Sequence, residues 1–201
     1  GSATARNGSS MTSTTGAENT TFGVVVSPNG GATVTAQASV STAINSGATV
    51  NNLLVSNNAI NQCARGIGFL GGVAANSSQL TFTNNVIGDQ SVLSGSAPYT
   101  TPATTVYSKG IYVAGATSLT ITGNTIKNIL SYVATTFAAI ELNSAIGTGA
   151  GTVTVSNNTI SGIVNNNASA SNGILVSSCT VPFTIAQNII SGIQTVGSVS
   201  V

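Results

Sequence analysis

Four basic and three acidic side chains carry all the formal charge in 201 residues, so any acid–base chemistry must be assembled from them. The carboxylates are Glu18, Asp89 and Glu141; the bases are Arg6, Arg65, Lys109 and Lys127, and there is no histidine. Glycoside hydrolysis needs two carboxyl groups facing each other across a cleft, about 5–10 Å apart. Glu18 sits in a leader of Ser, Thr, Gly and Asn, Asp89 follows a turn, and Glu141 takes an outward position on a strand. Glu141 and Lys109 are therefore expected to be solvated or locally paired charges rather than catalytic groups. Metal chemistry fares no better. The two cysteines, Cys63 and Cys179, lie far apart, and zinc, haem and iron–sulfur sites need clustered Cys or His. Calcium bound by Gly-rich repeat turns needs an Asp at each turn, and the chain has one. Cys63 reads as a buried small hydrophobe, and the spacing leaves open whether it pairs with Cys179. The expectation is no enzyme, no cofactor and no metal.

The elements that would position these groups announce themselves as a repeat. One phrase occurs five times: LLVSNNAINQC from residue 53, LTFTNNVIGDQ from 80, LTITGNTIKNI from 119, VTVSNNTISGI from 153 and FTIAQNIISGI from 183. A second phrase precedes the last four copies, at Gly66–Phe69, Gly110–Val113, Ala139–Leu142 and Gly173–Val176, with Gly23–Val26 as an earlier cousin. Within the first phrase, positions one and three are apolar (Leu53/Val55, Leu80/Phe82, Leu119/Ile121, Val153/Val155, Phe183/Ile185). Positions two and four are mostly hydroxylated. A period of two puts one face in a core and the other in water.

Asn58, Asn85, Asn124, Asn158 and Asn188 recur at one place after the strand, each followed two residues later by Ile60, Ile87, Ile126, Ile160 or Ile190. Asn tolerates the left-handed backbone of a sharp bend, and stacked Asn side chains can bond to one another as a ladder. One unit cannot bury its own apolar face, whereas units stacked about 4.8 Å apart can. The chain is therefore expected to be all-β, a right-handed parallel β-helix of five to six coils, with insertions emerging as loops. A β-sandwich also has many short strands, but it does not require Asn-x-Ile at every turn. Residues 1–22 are expected to be a polar leader or cap, and 23–201 a single β-helix domain that is a segment of a longer protein. Residues 22–50 hold an irregular first coil (Val24, Val26, Val34, Val40, Ile44) that the pattern does not register.

Composition limits the partners. Only 3% of residues are charged and the net charge is +1, against roughly 25% charged residues in ordinary soluble domains. Such a surface cannot replace the counterions of nucleic acid. Every apolar run is interrupted, so no segment of about 18 apolar residues could insert into a membrane. It suits self-association, further β-helix coils, neutral glycans or a solid surface. The outward positions Thr81, Thr83, Thr120, Thr122, Thr154, Ser156 and Thr184 would form a grid spaced about 4.8 Å between coils and about 6.7 Å along each strand. That grid resembles the TxT arrays of β-helical antifreeze proteins, broken at one end by Leu54 and at the other by Ala186. Thr is also simply a favourable strand residue on a wet face. Tyr99, Tyr107 and Tyr112 flank the insert at 91–109; they would cover a loop or offer a sugar-stacking surface.

The phrases LTITGNTI and VTVSNNTI resemble the right-handed β-helix repeats of the pectate-lyase-like superfamily. Their Ser/Thr-rich, charge-poor style resembles repeats in very large secreted and surface proteins of Bacteroidetes-type bacteria. The resemblance covers roughly residues 23–201. It implies the fold, but that fold hosts lyases, hydrolases, adhesins and passive stalks alike. The lyases' clustered Asp residues and basic proton acceptor have no counterpart here. The expected role is a non-catalytic structural or adhesive segment of an exported, extracellular or cell-surface, filament-forming protein. Ice binding through the Thr/Ser grid and polysaccharide cleavage are the alternatives.

Overall fold

The computed structural model describes residues 22–26, 49–61, 63, 65–71, 77–88, 109–131, 137–143, 151–165, 169–177 and 179–195. Glu18, Asp89, Tyr99, Tyr107, the leader and most of the 91–109 insert lie outside them. The described chain winds through five coils of three strands. The first coil holds β1 (Phe22–Val26), β2 (Leu54–Ser56) and β3 (Ala59–Ile60); the second holds β4 (Arg65–Leu70), β5 (Leu80–Thr83) and β6 (Val86–Ile87). Then follow β7 (Lys109–Ala114), β8 (Leu119–Thr122) and β9 (Thr125–Ser131), and β10 (Phe137–Leu142), β11 (Val153–Ser156) and β12 (Thr159–Asn165). The fifth coil holds β13 (Ser171–Val176), β14 (Phe183–Ala186) and β15 (Ile189–Thr195).

Equivalent strands pair in parallel, giving three five-stranded sheets: β1-β4-β7-β10-β13, β2-β5-β8-β11-β14 and β3-β6-β9-β12-β15. This is a right-handed parallel β-helix, the hand expected of parallel crossovers. Its register follows the sequence repeat. Phe82 pairs with Ile121, Ile121 with Val155, and Val155 with Ile185. The early cousin belongs to the same column, with Val24 opposite Ile67 and Val26 opposite Phe69. That places part of the otherwise unregistered first coil; Val34, Val40 and Ile44 lie outside the described residues.

The core is the lumen between the sheets. Leu80, Leu119, Val153, Phe82, Ile121 and Val155 are buried there, facing Ile87, Ile126 and Ile160 from the third sheet and Ile67, Phe69, Ile111, Val113, Ile140 and Leu142 from the first. Glycine opens the second phrase because that isoleucine needs the space. A methyl group on Gly66, Gly110 or Gly173 would come within 2.5, 2.7 or 2.6 Å of the Cγ2 of Ile87, Ile126 or Ile190, each in the same coil. In the fourth coil Ala139 takes the place, so the column tolerates one methyl where neighbours allow it.

The turn between the second and third sheets corrects the sequence reading. The left-handed residue is not the recurrent Asn but its predecessor: Asn57 (φ 58°), Asn84 (φ 55°), Gly123 (φ 68°), Asn157 (φ 55°) and Gln187 (φ 57°). Asn and Gly lead there because they enter this region at least cost. The recurrent Asn is thereby free of the bend and turns its amide along the helix axis.

Candidate functional site

Three arrangements bring chemistry-bearing side chains together. The first is the column Asn58, Asn85, Asn124, Asn158 and Asn188. In each step one Asn donates its backbone N–H and its Nδ2 to the Oδ1 of the next coil's Asn, at 2.9–3.1 Å. The other Nδ2 hydrogen points back to a carbonyl of the preceding coil: Asn85 to Val55, Asn124 to Phe82, Asn158 to Ile121 and Asn188 to Val155. Asn85, Asn124 and Asn158 are fully buried, so each satisfied amide avoids the desolvation penalty of a buried polar group. The column is polar and directional: donors point toward the fifth coil, acceptors toward the first.

The second arrangement is the outer face of the β2-β5-β8-β11-β14 sheet. Thr81, Thr120, Thr154 and Thr184 lie in one register row, and Thr83, Thr122 and Ser156 in another. Leu54 and Ala186 end these rows, as the alignment of phrases implied. The hydroxyls of Thr122 and Ser156 lie 3.3 Å apart. Parallel to the rows runs a column of exposed turn amides, Asn57, Asn84, Asn157 and Gln187, interrupted by Gly123. The face is uncharged and half wet, able to offer hydroxyls and amides to a neutral partner.

The third arrangement lies on the outer side of the β1-β4-β7-β10-β13 sheet, and sequence reasoning did not assemble it. Arg65 pairs in register with Lys109, and Tyr112 with Glu141. The Lys109 ammonium bonds the Oε2 of Glu141, and Asn143 Nδ2 donates to Oε1 at 3.0 Å. The Tyr112 ring lies 5.3 Å from Lys109 Nζ and 5.6 Å from Arg65 Cζ, within cation–π range. Glu141 does alternate outward between Ile140 and Leu142, but it is only 5% exposed. The expected solvated carboxylate is thus a buried, locally paired one. The signal was present in the second phrase: Gly68, Tyr112, Glu141 and Leu175 share its third position, and Arg65 and Lys109 each precede its glycine.

Burial lowers the Lys109 pKa from its ordinary 10.5, with the neighbouring Arg65 charge acting the same way and Glu141 opposing both. Burial, helped by the Glu141 charge, pushes the Tyr112 phenol up to about 12. With one carboxylate oxygen held by an ammonium and the other by an amide, the cluster suits clamping coils two to four more than moving protons. Cys63 is buried and free, its thiol pushed up to about 12 by burial; Cys179 is a partly exposed free thiol. Among the described residues no three His, Cys, Asp or Glu side chains come together in a way that could hold a metal ion, and no helix is long and apolar enough to cross a membrane. Compared with protein-family models, with curated proteins and with solved structures, the chain matches none.

Proposed function

We propose that this chain is a non-catalytic structural or adhesive β-helix segment of an exported cell-surface protein. The observation that carries the reading is the Asn column. In every coil the one recurrent polar side chain aimed along the axis is committed to its neighbours above and below, leaving it no capacity to bind a substrate. The buried charges support the same reading, because Lys109 and Glu141 satisfy each other. A neutral stack of this kind suits a stiff spacer that contacts neutral partners along its side. The stacked LTIT and VTVS strands also support kinship with the pectate-lyase-like β-helix repeats and with those of large Bacteroidetes-type surface proteins. The test is incubation with a panel of neutral and acidic polysaccharides. No release of reducing ends or unsaturated products is expected; release that disappears in Glu141→Gln would overturn the proposal.

A second reading, ice binding, is favoured by the aligned rows of Thr81, Thr120, Thr154 and Thr184 with Thr83, Thr122 and Ser156. Inhibition of ice recrystallisation that Thr120→Lys removes would support it, and wild-type inactivity would end it.

A further inference from the structure

The two ends of the stack are not equivalent. In the first coil the lumen residues Val55 and Ile60 are 7% and 6% exposed, whereas their fifth-coil counterparts Ile185 and Ile190 are 45% and 44% exposed, beside Phe183 at 52%. Apolar side chains that are buried in every other coil face solvent at this end alone. The backbone there is also unpartnered among the described residues. In each lower coil the Asn backbone N–H donates toward the next coil, and its backbone C=O accepts from the next coil's strand, as when Asn158 O accepts from Ile189 N at 2.8 Å. By register, Asn188 presents both its N–H and its C=O to the open face.

A residue with both groups on one side is self-complementary in antiparallel pairing, where two opposed residues exchange both N–H···O bonds. We infer that the fifth-coil face takes a second copy of this chain in the opposite orientation, related by a two-fold axis passing beside Asn188. Phe183, Ile185 and Ile190 of each copy close over those of the other, and Asn188 pairs with its symmetry mate. Head-to-tail stacking would require an open apolar face on the first coil, and Val55 and Ile60 are already covered. An isologous contact also closes on itself, so the product is a dimer and not a filament.

The inference goes beyond the structural role proposed above and fails separately from it: polysaccharide turnover would sink that role and leave the dimer untouched. The experiment is analytical ultracentrifugation of the whole chain from low micromolar to near-millimolar concentration, with Phe183→Lys, Ile190→Lys and, as a side-sheet control, Thr120→Lys. Circular dichroism checks that each variant keeps its strands. The expected result is a dimer that grows no further, weakened on the order of a hundredfold by either end substitution and unchanged in the control. A wild-type monomer at all concentrations, open-ended growth, or a dimer that survives both end substitutions would overturn it.

Discussion

At the scale of single residues, buried polar groups bear most of the weight. Asn124 donates to Asn158 and to the Phe82 carbonyl and accepts from Asn85, all in a fully buried setting. Asn124→Ala should lower the unfolding free energy by about 3 kcal/mol or more, because several buried partners lose their bonds together. Asn124→Asp keeps the acceptor but loses both donations and buries a charge, so it should cost more; urea titration reads both. The Lys109–Glu141 pair makes the opposite kind of claim. Glu141→Gln or Lys109→Met alone should cost about 3–5 kcal/mol by leaving a buried charge behind, whereas Lys109→Met with Glu141→Leu should be close to neutral. Cys63 gives a pH dependence. Its folded thiol holds the proton to about 12 against an ordinary value of 9.0, so its contribution is fully present below pH 9.0 and is lost as pH rises toward 12. The stability advantage of the wild type over Cys63→Ala should therefore shrink across that window, which denaturation at stepped pH would show.

At the scale of the strand and turn, the sequence was legible where a period reports a face. Alternation in LTIT and VTVS put Leu119, Ile121, Val153 and Val155 in the lumen, and the structure has them there. It was misleading at the bend. Both residues of Asn57-Asn58 and Asn84-Asn85 are Asn, so composition alone could not say which one is left-handed; Gly123-Asn124 and Gln187-Asn188 break the tie only once the backbone is known. The consequence is testable. Asn84→Gly should be tolerated to within a few tenths of a kcal/mol, while Asn84→Val should cost about 1–2 kcal/mol, since a β-branched residue resists this conformation. The glycine of the second phrase was visible as a recurrence but not as a cause. Only the close approach of the Ile126 methyl explains Gly110, and Gly110→Val should cost about 1–3 kcal/mol by overpacking the lumen. Calorimetry of the two valine variants separates the turn effect from the packing effect.

At the scale of the whole molecule, coils separated by 27 to 39 residues in sequence are tied into one rod by the same bonds repeated along its axis. Such a stack should behave as a nearest-neighbour chain, firm in the middle and looser at an uncovered end. The grouping of Arg65, Lys109, Tyr112 and Glu141 was not legible at this scale, because its members come from three coils and cohere only through register. Nor could the sequence show that one end of the lumen is covered and the other open. The most direct test of the account is native-state hydrogen exchange at the backbone amides of Asn85, Asn124, Asn158 and Asn188, in dilute solution. The stack predicts that the first three exchange only on global unfolding and that Asn188 exchanges orders of magnitude faster. Rapid exchange at Asn85, Asn124 and Asn158 would contradict it.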